Sequence, residues 1–446
     1  MRAIAALLTL VIASGGVASG RGLPENTDEI TALSVEEARS LVTREPLVLT
    51  LDGLTSLPVD VARALALHPG RLHLDRLVDP SDELLEALAT HENDLSLGGL
   101  ASLTDRQAEI LGDHGRFLWL KDAFDGTPVE PRAPRRAGRL FLNGVTSLTV
   151  AQAESLGRHE GALFLGGVTT LGDDEVEALT RRPRDLHLFA LTGMTDRQAR
   201  LFGDHRGALS LSGVVSLSPA QADALSRHEG SLSLGGLASL TDGQAEELSR
   251  HAGDLWLFSS SLTTLSDHQA ESLSRRRGDL YLAGVTTITA AQARSLAKQP
   301  GNLALFDLTE ASDEVIAALA THRGSAAHGQ TLELESLPSL TEAQAEALSR
   351  HAGPLSLGNV VLSASAARAL ATHDWLSLSI HTLSDEATEA LARQRGTIYL
   401  TPLTMTDEQA EVWASWKGGR RVFSARNFTD RQIEILSRNR GITFFP

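Results

Sequence analysis

The feature that most constrains this chain is that it nearly repeats its own sequence. Residues 231–253 read SLSLGGLASLTDGQAEELSRHAG, and residues 94–115 read DLSLGGLASLTDRQAEILGDHG. Eighteen segments of this kind follow one another, and most of them are 23 residues apart. A fixed period of this length is typical of a solenoid, in which no single unit buries its apolar face without a neighbour. The first Leu of each L-x-L core, or its substitute, is Leu49, Leu72, Leu95, Leu118, Leu140, Leu163, Leu186, Leu209, Leu232, Leu255, Leu280, Leu303, Leu332, Leu355, Leu376, Ile398, Val422 and Ile442.

Each unit predicts one strand and one helix. The Leu-Ser-Leu alternation at 232–234 has the period of a strand, with both leucines on one side. Thr241 and Gln244 then match a capping box that starts a helix, and Gly253 follows the helix end. Further boxes are predicted for Ser34 with Glu37, Thr104 with Gln107, Thr195 with Gln198, Ser266 with Gln269, Thr341 with Gln344, Thr406 with Gln409, and Thr429 with Gln432. The expected fold is α/β, a curved solenoid of about eighteen strand-turn-helix repeats with one parallel sheet and one helix layer.

The strand segments also resemble those of the leucine-rich repeat family. The resemblance rests on the L-x-L-x-x-L pattern, for example Leu95, Leu97 and Leu100, with a helix on the return side, and it covers nearly the whole chain after the first residues. In that family an asparagine at the third position bonds the turn backbones of adjacent repeats, whereas here that position holds Leu or Val. We expect Ser and Thr side chains of the turns to contribute those bonds instead, because buried turn amides need partners. The residues concerned are Ser102, Thr146 with Ser147, Thr169 with Thr170, and Thr286 with Thr287.

The first twenty residues have the pattern of a secretory signal peptide. Arg2 precedes an apolar run over about 3–13, and small residues follow it. The run is shorter than the ~20 apolar residues that cross a bilayer, so we expect the signal to be removed and no membrane span to remain. Retention as an uncleaved anchor is the alternative. The expected location is secreted, periplasmic or in the cell envelope.

The rest of the chain divides into an N-terminal capping segment, 21–46, and the leucine-rich-repeat-like solenoid, 47–446. Two stretches interrupt the regular period, at 121–139, where three prolines exclude a regular helix, and at 324–331, where one step lengthens. At the C-terminus Trp413 and Trp416 are predicted to seal the last strand, with a dimer contact as the alternative. The oligomeric state is left open.

Charge and cysteine content exclude several classes of partner and site. The 40 Lys and Arg stand against 56 Asp and Glu, for a formal net charge of -16, so nucleic acid and anionic lipid are unlikely partners. The chain has no cysteine, and stability must therefore come from packing and not from disulfides.

The sequence contains no catalytic or cofactor-binding motif, so we expect a protein that is not an enzyme and has no cofactor or metal. A weaker alternative is a hydrolase with a site formed by loops around 121–139. A metal-binding row is also conceivable at ten helix-end histidines, although a favourable cationic or dipolar group at a helix C-terminus explains them better. These are His68, His91, His114, His159, His205, His228, His251, His322, His351 and His373.

Aromatic side chains at outward strand positions are the candidate ligand-binding residues. Trp119, Phe141, Phe164 and His187 occupy four successive units, and Trp256 and Tyr281 occupy two more, with Phe189 and Phe258 one outward position further along. Exposed rings mark interaction surfaces more often than chance. The alternative is that the rings pack on one another across the strands and stiffen the sheet.

The sequence therefore predicts an exported, non-catalytic binding scaffold that recognises a protein, peptide or glycan on its strand face. The alternative is a structural component of the cell envelope or matrix that associates with itself.

Overall fold

Strands and helices alternate along the chain with the predicted period. The computed structural model describes residues 24, 26–115, 138–323, 330–401, 403–416 and 418–445, and within them it contains seventeen strands and seventeen α-helices. The strands are β1 (Val48–Thr50), β2 (Arg71–His73), β3 (Leu95–Ser96), β4 (Leu140–Phe141), β5 (Leu163–Phe164), β6 (Leu186–His187), β7 (Leu209–Ser210), β8 (Leu232–Ser233), β9 (Leu255–Phe258), β10 (Leu280–Ala283), β11 (Leu303–Leu305), β12 (Leu332–Leu334), β13 (Leu355–Gly358), β14 (Trp375–Ser379), β15 (Thr397–Thr401), β16 (Arg420–Ser424) and β17 (Ile442–Phe445).

The helices form the second layer. They are α1 (Val35–Arg44), α2 (Val59–Leu65), α3 (Asp82–Ala89), α4 (Asp105–Gly112), α5 (Val150–Leu156), α6 (Asp173–Thr180), α7 (Asp196–Asp204), α8 (Pro219–Leu225), α9 (Asp242–Leu248), α10 (Asp267–Leu273), α11 (Ala290–Leu296), α12 (Asp313–Leu319), α13 (Glu342–Ser349), α14 (Ala364–Leu370), α15 (Asp385–Ala392), α16 (Asp407–Ser415) and α17 (Asp430–Ser437). Two short 3-10 helices are Thr27–Glu29 and Ala425–Asn427. Each helix packs against the helix of the next described turn.

The strands form one parallel sheet in chain order. Each strand pairs with the next with inward residues in register, so that Leu232 lies opposite Leu255 and Ser233 opposite Trp256. The same pattern continues from β1 to β17. Every return helix brings the chain back to the same edge of the sheet, which requires parallel strands. The predicted fold class, an open strand-helix solenoid, is confirmed.

The sheet passes directly from β3 to β4. Leu95 of β3 lies directly opposite Leu140 of β4, and the Leu95 amide donates to the carbonyl oxygen of Arg139 at 2.9 Å. Leu118, where the repeat predicts a further strand, lies outside the described residues. Helices α4 and α5 likewise pack directly against each other, so neighbouring turns bury their apolar faces without an intervening unit.

The core lies between the sheet and the helices. The two inward leucines of each strand are almost completely buried, for example Leu232 and Leu234 at 0 % exposure. Ala245 and Leu248 of α9 are also fully buried, and the small Ala side chain lets the helix approach the sheet closely. Burial of a leucine side chain stabilises a fold by ~1.5–3 kcal/mol, so this repeated layer supplies most of the driving force.

All of the predicted capping boxes are present, and their glutamines do more than cap. In α10 the Ser266 hydroxyl accepts from the Gln269 amide, and the Gln269 carboxamide oxygen accepts from the Ser266 amide at 2.8 Å. The Gln269 Nε2 also donates to the carbonyl oxygen of Leu240 in the preceding turn, at 2.6 Å. The same inter-turn bond is made by Gln107, Gln152, Gln198, Gln221, Gln244, Gln292, Gln344, Gln409 and Gln432. This row of glutamines ties neighbouring turns together.

The expected role of the turn hydroxyls is therefore wrong. The amide of Thr146 donates to the backbone carbonyl of Ala101, and the amide of Thr286 donates to that of Thr263, in the neighbouring turn. The Thr146 and Thr169 side chains are exposed to solvent. Main-chain bonds and the glutamines satisfy these turns, whereas elsewhere the hydroxyls of Ser259 and Thr404 do donate to carbonyl oxygens of the preceding turn, those of Leu237 and His381.

We expect Gln269→Glu to lower the free energy of unfolding by ~1–3 kcal/mol, the usual cost of an unsatisfied buried group. A glutamate still accepts from the Ser266 amide, but it cannot donate to the Leu240 carbonyl. The matched control is Glu37→Gln in α1, where the first helix uses Glu in its box and its oxygen bonds only Ser34. Urea unfolding of the two variants measures the difference. Equal stability of Gln269→Glu and wild type would show that the inter-turn bond contributes nothing.

The C-terminal turns differ from the prediction in register and packing. Ile398 of β15 lies opposite Arg421, so Arg421 and not Val422 takes the inward position in β16. The buried Arg421 guanidinium donates to the carbonyl oxygens of Ala392 and Gln394, at 2.5 and 3.0 Å. Trp413 is fully buried with its ring edge-on to Phe423 at 5.5 Å. These contacts explain how a charged side chain and a large ring fit into the last turns of the core.

Several predicted segments lie outside the described residues. They are the signal peptide at 1–20, most of the irregular stretch at 121–139, and residues 324–329. Helix α1 lies in the predicted capping segment and packs against α2. Among the residues that the structure does describe, no helix combines the length and the apolar character needed to cross a membrane.

Candidate binding surface on the strand face

Each strand presents two outward positions, one and three residues after its first inward residue. In the strands that the structure describes, neither position holds Lys or Arg anywhere from β1 to β17. Acidic side chains do occur there, at Asp52, Asp75, Glu333 and Glu335. These two rows of positions are therefore acidic, neutral or aromatic, and the arginines of this face, Arg71, Arg139 and Arg420, lie one residue before the first inward residue of their strands.

The first ring cluster consists of Phe141, Phe164, His187 and Phe189. Phe141 stacks on Phe164 with ring centroids 4.2 Å apart, and Phe164 stacks on His187 at 4.0 Å with an interplanar angle of 6°. Phe189 is tilted against His187 at 5.6 Å and is 43 % exposed. Burial lowers the pKa of His187, so its ring acts as a neutral aromatic. The cluster has a stacked base and one projecting ring.

An arginine closes one end of this cluster. The Arg139 guanidinium lies 5.5 Å from the centre of the Phe141 ring and donates two bonds to the Asp94 carboxylate, at 2.9 and 2.6 Å. These bonds and the charge of Arg139 lower the pKa of Asp94 against the opposing effect of burial. A cation over a ring face is favourable, so the free face of Phe141 is covered.

The second ring cluster consists of Trp256, Phe258, Tyr281 and Phe306. Trp256 stacks on Tyr281 with centroids 3.7 Å apart and planes 7° apart. Phe258 lies edge-on to both Trp256 and Phe306, at 5.1 and 5.6 Å, and it is 41 % exposed. The Tyr281 hydroxyl donates to Asp279 at 3.1 Å, and burial raises its pKa. This cluster also combines a stacked base with a projecting phenylalanine.

Seven of the eight candidate ring residues therefore fall into these two clusters. Trp119 lies outside the described residues, and the direct pairing of β3 with β4 leaves Phe141 next to Ser96 and not next to Trp119. Phe306 and the separate pair Trp375 with Tyr399, at 5.1 Å, add to the rings of this face. The rings do stack across neighbouring strands, as expected if they only stiffen the sheet. Phe189 and Phe258 nevertheless project from the stacks. Whether the rings bind a ligand stays a prediction.

Two serine-bearing strands separate the clusters. In register, the row across the sheet runs from His187 through Ser210 and Ser233 to Trp256. At the second outward position the same two strands carry Ser212 and Gly235. The Ser212 hydroxyl is within hydrogen-bonding distance of the Ser210 and Ser233 hydroxyls, at 3.0 and 2.9 Å. We call this interval, floored by Ser210, Ser212, Ser233 and Gly235, the serine gap.

The spacing of side-chain rows shows which side of the solenoid is concave. Stacked rings on the strand face are 3.7 to 4.2 Å apart, less than the spacing of about 4.8 Å between strands. Histidine rings at the helix ends are 5.4 to 6.4 Å apart. Successive turns are thus closer at the strand face than at the helix ends, and the strand face lines the inside of the curve.

The ten helix-end histidines named from the sequence form a row, and the structure adds that this row is buried. Their rings pack on one another, for example His205 on His228 at 6.0 Å and His228 on His251 at 5.8 Å. In six of them a ring nitrogen bonds a carbonyl oxygen just before a strand, as His322 Nε2 does with Gly301 at 2.9 Å. All ten histidines of the row are buried. Gln299 holds the same place in its turn and donates to Gly278 at 2.5 Å.

Burial keeps most of these histidines neutral. Desolvation lowers the pKa of His159, His251 and His322 to about 4. The same cause lowers the pKa of the other shifted members of the row, which are His91, His114, His228, His351 and His373. Of the cationic or dipolar group that was expected at these helix ends, the lowered pKa values favour the neutral, dipolar ring. Rings that pack face to face do not direct their nitrogens at one point, and no group of three metal-ligating side chains occurs in the described part of the chain.

A cleft lies beyond the carboxyl ends of β8 and β9, where the sequence has its insertion at 258–262. Its volume is about 470 Å³. Ser239, Ser261, Thr263, Thr264 and Ser266 contribute hydroxyl groups to its wall. No charged residue is among the residues that line it. The cleft is therefore neutral and lined by several hydroxyl-bearing residues, as the serine gap is.

An acidic pair lies on the other side of the second ring cluster. Glu333 and Glu335 occupy the two outward positions of β12, and Glu335 accepts from the Ser356 hydroxyl at 2.7 Å. Burial, followed by the charges of Glu335 and Asp279, raises the pKa of Glu333. The predicted hydrolase site around 121–139 falls mostly outside the described residues and is not tested.

The fold and this face define the class of the protein, a strand-helix repeat solenoid with a continuous concave sheet. No protein-family model and no curated protein sequence matches the chain. Among solved structures it is similar to an internalin from Listeria monocytogenes, with 13 % sequence identity, coverage of 93 % of this chain and 90 % of that chain, and a TM-score of 0.26. A likeness at this level defines neither a family nor a shared ligand.

Proposed function

We propose that this protein is an exported, non-catalytic binding scaffold that recognises a protein, peptide or glycan on its concave strand face. The observation that carries the proposal is the projection of Phe189 and Phe258 from two stacked ring clusters, at 43 % and 41 % exposure. Exposed rings above a rigid base are typical anchors of a binding surface, because their apolar area is desolvated at little cost in conformational entropy. Export is supported only by the signal pattern at 1–20.

The charge distribution supports a ligand that is neutral or cationic. Acidic side chains lie beside the second ring cluster, and in the described strands the two positions one and three residues after the first inward residue hold no Lys or Arg. An anionic partner would be repelled both by this face and by the net charge of -16. Membership in the leucine-rich repeat family remains part of the proposal, since only the repeated architecture supports it.

We expect the double variant Phe189→Ser, Phe258→Ser to lose capture of its partner with little loss of stability. Each projecting ring makes edge contacts to its cluster but is not buried in the core. Removal of an interface anchor costs about 1–2 kcal/mol or more, so capture should fall at least tenfold. The measurement is quantitative mass spectrometry of proteins and glycans retained from the native envelope fraction by the immobilised wild type and variant.

The matched control is Leu67→Ser, which removes an apolar side chain that is 60 % exposed and follows α2, away from the strand face. Its capture should equal that of wild type. Unchanged capture by the ring variant, or an equal loss in the control, would contradict a strand-face site.

The second candidate function is self-association as a structural component. The strand β17 pairs only with β16 among the described strands, and Phe445 on it is 36 % exposed. An open edge of this kind can pair with another chain. Light scattering after size exclusion distinguishes the two functions, because a scaffold stays discrete while a self-associating component grows with concentration.

A further inference from the structure

We infer that the serine gap is a binding site for a neutral saccharide. This inference rests on the proposed function, because it names the ligand that the strand face would hold. The ring pairs that stack across neighbouring strands have nearly parallel planes, so these rings stand across the sheet and their faces point along the row of strands. His187 ends one stack and Trp256 begins the other. Each therefore turns one face toward the gap.

The width of the gap suits one or two sugar units. Three strand spacings separate β6 from β9, which places the two ring planes about 12–14 Å apart, from the stacking distance of the rings to the full strand spacing. A van der Waals contact of about 3.5–4.0 Å on each face leaves roughly 4–7 Å for the atoms of a ligand. This space matches the dimension of a small saccharide held between the two rings. The gap is too wide for a single planar ring to touch both walls.

The chemistry of the walls and floor matches a sugar ring. The C–H groups of a pyranose face carry small positive charges and pack well against the negative face of an aromatic ring. The Ser210, Ser212 and Ser233 hydroxyls can each donate and accept, as sugar hydroxyls do. His187 is neutral because burial lowers its pKa. A site with apolar walls and a few polar groups that fix orientation is the usual form of a small-ligand site.

Other occupants fit less well. An apolar peptide side chain would bury the serine hydroxyls without bonding them, which is costly. An anion finds no Lys or Arg among the residues that form the walls and floor of the gap.

The test uses the purified chain with four neutral probes, which are cellohexaose, chitohexaose, maltohexaose and laminarihexaose. Isothermal titration calorimetry measures binding, and tryptophan emission reports contact at Trp256. At least one probe is expected to bind with a millimolar dissociation constant or tighter and to shift the emission. Trp256→Ala should remove both effects.

The decisive variant is Ser233→Phe. Trp256 of the neighbouring strand β9 and Phe164 of β5 occupy the same register, so a ring is compatible with the sheet there, and it would fill the gap. We expect at least a tenfold loss of affinity for the bound probe and an unchanged circular dichroism spectrum. The control is Ser377→Phe in β14, at the same register outside the gap, which should bind as wild type.

The inference is overturned if none of the four probes binds at millimolar concentration, or if Ser233→Phe binds as tightly as wild type. These outcomes leave the proposed function standing as long as the Phe189 and Phe258 variant still loses capture of a protein partner. If Ser233→Phe keeps its sugar binding and the Phe189 and Phe258 variant keeps its partner capture, both the saccharide site and the proposed function are overturned.

Discussion

Acidification from pH 7 to pH 4 is expected to unfold the solenoid, with the loss of stability beginning near pH 6.5. The cause is the buried histidine row. His159, His251 and His322 take up a proton only near pH 4 in the folded chain, because desolvation penalises the charged ring. In the unfolded chain the same side chains are protonated near pH 6.5. Circular dichroism and urea unfolding between pH 7 and pH 4 measure the effect.

The sign follows from the number of bound protons. Between about pH 4 and pH 6.5 the unfolded chain binds more protons than the folded chain, so the free energy of unfolding falls as the pH falls. The contribution is complete above pH 6.5 and is lost by about pH 4. A shift from 6.5 to about 4 is worth roughly 3 kcal/mol for each histidine. Three such groups reach roughly 10 kcal/mol, comparable with the whole stability of a typical domain.

The variant His322→Gln should flatten the pH dependence. Gln299 and Gln394 already occupy this place in other turns, and each donates from Nε2 to a carbonyl oxygen of the preceding turn, at 2.5 and 2.6 Å. Glutamine thus keeps the bond of His322 to Gly301 and removes the titrating ring. His268→Gln, at an exposed position of α10, is the control and should leave the pH profile unchanged. An equally steep profile in His322→Gln would show that other groups govern the acid transition.

Trp413→Ala is expected to lower the free energy of unfolding by ~3–5 kcal/mol, the usual cost of deleting a buried large ring. Trp413 is the largest fully buried side chain and packs edge-on against Phe423 at 5.5 Å. Because each turn of a solenoid contacts only its neighbours, the loss should be confined to the last turns. Hydrogen exchange measured by mass spectrometry should show faster exchange in α16, β16 and α17, and unchanged protection around β5 to β10.

The nearby Trp416→Ala is the matched control. Trp416 is 36 % exposed, so its removal should change stability by no more than ~0.5 kcal/mol. Equal destabilisation by the two variants would show that Trp413 does not seal the C-terminal core, and faster exchange throughout the chain would contradict local unfolding of the terminal turns.

The repeating unit could be predicted because its signals are local. The Leu-x-Leu alternation fixes the inward face of a strand, and a Thr followed three residues later by Gln starts a helix through bonds within one turn, as Thr241 and Gln244 do. The error of register in β16 arose because pairing with the neighbouring strand decides which residue faces inward. Hydrophobicity predicts Val422 as the inward residue of its strand. Arg421 is inward instead, because its guanidinium reaches two carbonyl oxygens of the preceding turn.

The ring residues of the candidate site could also be predicted from the sequence, because alternation places them on the outward face. Their grouping into two clusters could not be predicted. The count of successive units assumed that Trp119 precedes Phe141 in the sheet, whereas Ser96 is the neighbour of Phe141. The serine gap depends on His187, Ser210, Ser233 and Trp256 sharing one register, which only the paired strands establish.

The sequence by itself determined the strand-helix unit, its caps and the face that each side chain takes, since these follow from interactions within a few residues. The tertiary structure alone decided the contacts between turns. Gln269 bonds Leu240 across 29 residues, and His322 bonds Gly301 across 21 residues, and neither partner is marked in the local pattern. The neutral state of the histidines is likewise a property of the stacked turns, because the desolvation that lowers their pKa exists only when neighbouring turns cover them.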